Sequence, residues 1–169
     1  LIDHWAAKNL TGVSSQTHRK VAQFVAERFS RTVMGPLTLF VGDTACENLP
    51  ISCIISADSG VYLICTCDHA SSKRLTNAAK NTYTKVRHGP PISFRLGNGR
   101  GLVLSNDGNA PSADELHIIL VITQTGTALS SVSVPERPTR LLPLADFITI
   151  FDSLSDLDEL ERYWKFVDA

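Results

Sequence analysis

Ile51-Ser52-Cys53-Ile54-Ile55-Ser56-Ala57-Asp58-Ser59-Gly60-Val61-Tyr62-Leu63-Ile64-Cys65-Thr66-Cys67-Asp68-His69 is the stretch on which the fold turns. Two apolar runs flank Asp-Ser-Gly, a turn signal in its own right, so 51–56 and 61–67 read as an antiparallel hairpin. The second run is apolar at nearly every position. Strict alternation would mark a half-buried strand, whereas a continuous run marks one covered on both faces. Val61–Cys67 is therefore expected in the interior of a sheet.

Upstream, Val21, Phe24, Val25, Phe29 and Val33 recur with a helical period, which predicts a helix over 17–34 stopped by Gly35-Pro36. Leu37–Val41 reads as a strand closed by Gly42-Asp43. Downstream, Ser71 or Ser72 offers an N-cap for a second helix, over 72–87, ended by Gly89-Pro90-Pro91. Ile92–Leu96 and Gly101–Ser105 read as strands around Gly97-Asn98-Gly99, and Leu116–Thr123 as another apolar strand. Residues 130–143, with Pro135, Pro138 and Pro143, read as a loop or linker. Phe147–Phe151 reads as a short strand or a helical turn. Ser155-Asp156-Leu157-Asp158 resembles a capping box for a terminal helix. The sum is an α/β (or α+β) fold, a central mixed sheet flanked by helices. It divides into a domain over 1–143 and a C-terminal segment over 144–169 that packs on it or docks to a neighbour. Tyr163, Trp164 and Phe166 are the candidate partner-binding residues, since large aromatic groups on a short helix need a surface to cover.

Composition narrows the class. The 169 residues are 43% hydrophobic and 20% charged, with a formal net charge of -1. This is globular composition, with no global field that announces a polyanion or a polycation as partner. No apolar stretch is long enough to span a bilayer, and nothing reads as a signal peptide. Cys46, Cys53, Cys65 and Cys67 lie close together, three of them in strand-like runs. There they read as buried, reduced thiols of an intracellular protein, cytoplasmic or nuclear. The chain starts without an initiating Met, as a piece of a larger protein would.

The order of elements around the quoted hairpin resembles the core of the PD-(D/E)xK, or restriction-endonuclease-like, nucleases. The resemblance implies a restriction-endonuclease-like fold. It also implies an Asp opening the second strand and an acidic residue and a Lys two apart on the third. There the carboxylates hold a divalent ion and the Lys orients water. Position by position, Ser52 stands in place of the Asp, Cys65 in place of the acid and Cys67 in place of the Lys. The motif is degenerate, and no catalytic residue, metal or cofactor is expected. The carboxylates that could rescue a displaced metal site are Asp58 and Asp68, with Asp58 better explained as a turn residue.

Other chemistry finds less support. Cys65-x-Cys67-x-His69 lacks the second ligand pair of a structural zinc site. A Cys with a nearby His is a generic pair, and these thiols look buried. Gly97-Asn98-Gly99-Arg100-Gly101 lacks the Lys-Ser/Thr of a phosphate-binding loop. Lys73, Arg74, Lys80, Lys85 and Arg87 on the second helix are the candidate nucleic-acid contacts, although a solvated face accounts for them as well. The sequence points to a non-catalytic, nuclease-like interaction domain of a larger protein or assembly. Its partner is a protein or a neighbouring domain, with nucleic acid as a further ligand; no membrane or small-molecule substrate is evident. Two alternatives stand beside it: an active metal-dependent nuclease with displaced acidic ligands, and a protein–protein interaction domain on an unrelated α/β fold.

Overall fold

A computed structural model describes residues 13–57, 60–88, 92–96, 101–102, 116–123 and 139–154, with 159 and 162. Along the chain these form α1 (Ser15–Ala26), β1 (Thr32–Val41), β2 (Thr44–Ala57), β3 (Gly60–Cys67) and α2 (His69–His88). β4 (Ile92–Leu96), β5 (Gly101–Leu102), β6 (Leu116–Ile122), β7 (Thr139–Pro143) and α3 (Leu144–Asp152) follow. The strands make one mixed sheet in the order β5-β4-β1-β2-β3-β6-β7. β2 runs antiparallel to both β1 and β3, while β3, β6 and β7 are mutually parallel. This is an α/β architecture with helices on both faces. None of the described helices is long and apolar enough to cross a membrane.

The hairpin forms as its sequence implies. Ile54 pairs with Leu63 and Ser56 with Val61. β3 then lies between β2 and β6, and every residue from Val61 to Cys67 is buried. Its side chains divide by parity, as a pleated strand requires. Val61, Leu63, Cys65 and Cys67 join a core with Leu75, Ala79 and Val86 of α2. Tyr62 and Ile64 join a second core with Val21, Ala22 and Val25 of α1 and Phe147 and Phe151 of α3. The sheet is thus the middle layer of three.

Three sequence expectations are corrected, and one stated alternative is selected. The first helix ends at Ala26, not Met34. Thr32, Val33 and Met34 pair with Ile55, Ile54 and Cys53 of β2, so ladder hydrogen bonds and β-branched side chains override the helical period there. Gly35-Pro36 consequently lies inside β1, joined by a cis peptide bond. The second helix begins at His69 and not at Ser71 or Ser72. Asp68 caps it, its Oδ1 accepting from Ser71 N at 2.8 Å. A carboxylate there also meets the positive end of the helix dipole. Residues 139–143, expected as loop, form β7: Ile118 pairs with Thr139 and Ile122 with Pro143. Proline is tolerated because β7 ends the order of the sheet. Phe147–Phe151 resolves as helix, within α3, with both phenyl rings fully buried.

α3 is fixed against α1. Phe24 meets Phe147 with ring centroids 5.8 Å apart, and Phe29 meets Phe151 at 5.7 Å. Arg28 lies over the Phe24 ring, donates to Phe24 O and pairs with Asp152. The proposed division at 143/144 therefore falls between a strand of the sheet and a helix buried against the same sheet. The expected terminal helix and Tyr163, Trp164 and Phe166 lie outside the described residues.

β2 carries an irregularity that shapes its surroundings. Ile51 pairs with Cys65 and Cys53 with Ile64, so Ser52 is an extra residue in β2. Opposite it, a Cβ at residue 35 would stand 2.6 Å from Ile51 O and 2.7 Å from Ser52 O. Only glycine lets β1 approach the bulge this closely. Gly35→Ala should destabilise the fold by roughly 1–3 kcal/mol through overpacking. Urea denaturation measures this, and an unchanged midpoint would show that β1 can recede.

Candidate functional site

The bulge decides where the motif-equivalent side chains go. Ser52 Oγ shares a 2.7 Å hydrogen bond with His18 Nδ1 of α1 and one of 3.1 Å with Thr66 Oγ1 of β3. His18 is 3% exposed, Ser52 2% and Thr66 0%. The three form a closed polar hub between α1, β2 and β3, in the layer that faces α1 and α3. Cys65 and Cys67 belong to the opposite layer, beneath α2. The structure does not bring Ser52, Cys65 and Cys67 to one point. An acid and a lysine at 65 and 67 would face Leu75 and Ala79, not the Ser52 side chain.

Each group in the hub is neutral for a physical reason. Burial lowers the His18 pKa to about 4, because an imidazolium there would lose its water. A neutral imidazole and two hydroxyls can orient the hydrogen-bond chain in either direction. Among the described residues no buried side-chain nitrogen or oxygen lacks a partner. The hub resembles a serine–histidine pair in composition only. A nucleophile must reach a substrate, and Ser52 has α1 on one side and the sheet on the other.

The thiols are equally closed. All four cysteines are free and buried. Burial pushes the Cys67 thiol up to about 12, with Asp68 adding to the rise and Arg74 opposing it. Cys53 and Cys65 are raised by burial as well, and Cys46 is raised by burial against the opposing charge of Lys85. Thiolates, the nucleophilic and metal-binding form, are suppressed throughout.

Of the carboxylates proposed to rescue a metal site, Asp68 is occupied as the α2 cap, and Asp58 lies outside the described residues. Among the described residues no three His, Cys, Asp or Glu side chains converge where a metal ion could sit.

The α2 cations sit differently. Lys73, Arg74, Lys80 and Lys85 are all exposed, on the side of the helix turned away from Leu75, Ala79 and Val86. The Arg87 side chain lies outside the described residues. The helix contains no acidic residue from His69 to His88. Arg74 and Lys80 also make interactions within the protein, so the face is anchored as well as charged.

Helical periodicity did not single out His18 and Thr66. The available signal was His18 itself, a polar residue at the phase of Val21, Ala22 and Val25 on the buried stripe. Such a residue needs a buried partner, and Ser52 and Thr66 were among the hydroxyls of the central hairpin.

Two measurements follow from this geometry. His18 has a folded pKa near 4 against an ordinary 6.5, so the unfolded chain takes up the proton first as pH falls. The stabilisation is complete above about pH 6.5; about 2 kcal/mol is lost by pH 5 and about 3 kcal/mol by pH 4. Urea denaturation across this range, with His18→Gln as control, should show the loss in the parent and a flatter profile in the variant. Equal slopes in both would assign the acid sensitivity elsewhere. Alkylation without reductant should label all four thiols rapidly in the unfolded chain and none of them rapidly in the folded one. Fast labelling of Cys65 or Cys67 in the folded protein would mean that α2 lifts from the sheet. Compared with protein-family models, curated proteins and solved structures, the chain matches none.

Proposed function

We propose that this chain is a non-catalytic, nuclease-like interaction domain that contacts nucleic acid through the outer face of α2. The observation that carries the proposal is that face: Lys73, Arg74, Lys80 and Lys85 exposed on one helix that has no acidic residue to offset them. On a chain with a net charge of -1 this is a local concentration of positive charge. Such a concentration gains affinity for phosphates by releasing their counterions.

The topology is compatible with the nuclease-like part of the reading. α1, β1, β2, β3 and α2 follow in the expected order, β2 is antiparallel to its neighbours, and β6 returns parallel to β3. The absence of catalysis rests on chemistry. Ser52 is tied into a neutral hub, Cys65 and Cys67 are buried thiols on the other face, and Asp68 caps a helix. Metal-assisted hydrolysis needs oxygen ligands for a hard ion and an open coordination position. Four buried free thiols fit a reducing, intracellular compartment. In a larger protein such a domain would position a nucleic acid for neighbouring domains or partner proteins.

Fluorescence anisotropy with a short duplex DNA tests the reading. The apparent affinity should fall steeply with salt. Replacing Lys73, Arg74, Lys80 and Lys85 with Ala should reduce the log–log slope by up to about 3–4, at roughly 0.9 per phosphate contact. Magnesium or manganese should produce no cleavage. A quadruple variant that binds with the parent's affinity and salt slope would sink the assignment of α2. Cleavage abolished by Asp68→Ala would reinstate a displaced metal site.

A further inference from the structure

The exposed face of α2 is patterned as well as charged. At about 100° per residue, Lys73 and Lys80 form one row, and Arg74 and Lys85 form a second roughly 120° around the helix. Between the rows lie Asn77, Asn81 and Thr84, all exposed. Leu75, Ala79, Thr82 and Val86 occupy the opposite arc and are buried. Thr84 Oγ1 donates to Lys80 O at 3.3 Å, a local bond that turns this hydroxyl back onto the helix. The two carboxamides are therefore the hydrogen-bonding groups at the centre of the stripe. The one aromatic residue of α2, Tyr83, donates its hydroxyl to Leu116 O at 2.6 Å. Its ring is committed to the sheet and is not offered to a stacked base.

Resting on the reading of α2 as a nucleic-acid surface, we infer that α2 enters the major groove of duplex DNA and that Asn77 and Asn81 read base edges there, with a preference for adenine. The two cation rows fit the two phosphate strands that border a groove. Lys73 and Lys85 are about 18 Å apart along the axis, enough to follow several base pairs. A helix about 10–12 Å across matches a major groove about 12 Å wide. An asparagine carboxamide is both donor and acceptor, which complements the N6 amino group and N7 of adenine. Duplex RNA is disfavoured because its major groove is too deep and narrow to admit side chains. Single strands are disfavoured because the face has no aromatic platform for unstacked bases.

The experiment is selection from a randomised duplex DNA pool with the full chain, repeated with Asn77→Ala, Asn81→Ala and the double variant. The parent should enrich a short motif containing at least one fixed adenine. Changing that adenine should weaken binding by roughly fivefold or more. The double variant should lose the motif while keeping the parent's affinity and salt slope on an unselected duplex, which also reports an intact fold. Salt-dependent duplex binding with no enriched motif overturns the inference and leaves the function proposed above standing. So does a motif that survives the double substitution, or duplex RNA bound as tightly as duplex DNA. Failure to bind any nucleic acid at low salt overturns both.

Discussion

A strand covered on both faces has no side on which to place a charge, and β3 is such a strand. Its residues from Val61 to Cys67 are all buried, alternately beneath α2 and beneath α1 and α3. An ionised side chain in that position would have to be neutralised or paired. Burial on both faces also requires a neighbour on each edge, which β2 and β6 supply, and a helical layer on each side. The chemistry available at the centre follows directly: hydroxyls, thiols and one imidazole held neutral, with charge displaced to the outer surfaces of the helical layers.

The two helical layers are held by different means. α2 meets the sheet mainly through aliphatic and small side chains, Leu75, Ala79 and Val86 against Leu63, Cys65 and Cys67, with one hydrogen bond from the Tyr83 hydroxyl to Leu116 O. This contact depends on shape and volume and tolerates a strongly cationic outer face. α1 and α3 meet the sheet and each other through phenyl rings, the Arg28–Asp152 pair and the His18–Ser52–Thr66 hub. These are directional contacts, and they set the angle and register of α1 more tightly than aliphatic packing would. Most of these directional contacts lie on the face of the sheet opposite α2.

Much of this architecture was legible in residue pattern. The unbroken apolar run of β3, its antiparallel pairing with β2 and the amphipathic period of α2 each depend on one local rule, and each held. The misreadings occur where two rules compete. Val33 continues the helical period of Val21, Val25 and Phe29, yet it is β-branched and finds Ile54 across the ladder, and tertiary pairing prevailed. β7 was hidden by Pro138 and Pro143, because a strand at the end of a sheet does not need every amide. The bulge at Ser52 carries no sequence signature. Without it, parity alone does not place Ser52 beside His18 and away from Cys65. The site was therefore less readable than the fold: one extra residue in β2 changes which side chains can meet.

The pairing of β3 with β6 has a consequence for how the molecule is made. β1, β2 and β3 are joined by short connections and can pair while still close to their point of synthesis. Val61 must wait for Leu116, and Cys67 for Ile122, with α2, β4 and β5 all intervening. Closing so long a loop costs entropy before any contact rewards it. Until β6 arrives, β3 has a row of unpaired amides and carbonyls along one edge, flanked by some of the most apolar side chains in the chain. During that interval the nascent protein has an adhesive strand edge, so assembly should be most vulnerable to aggregation before residue 122 is available.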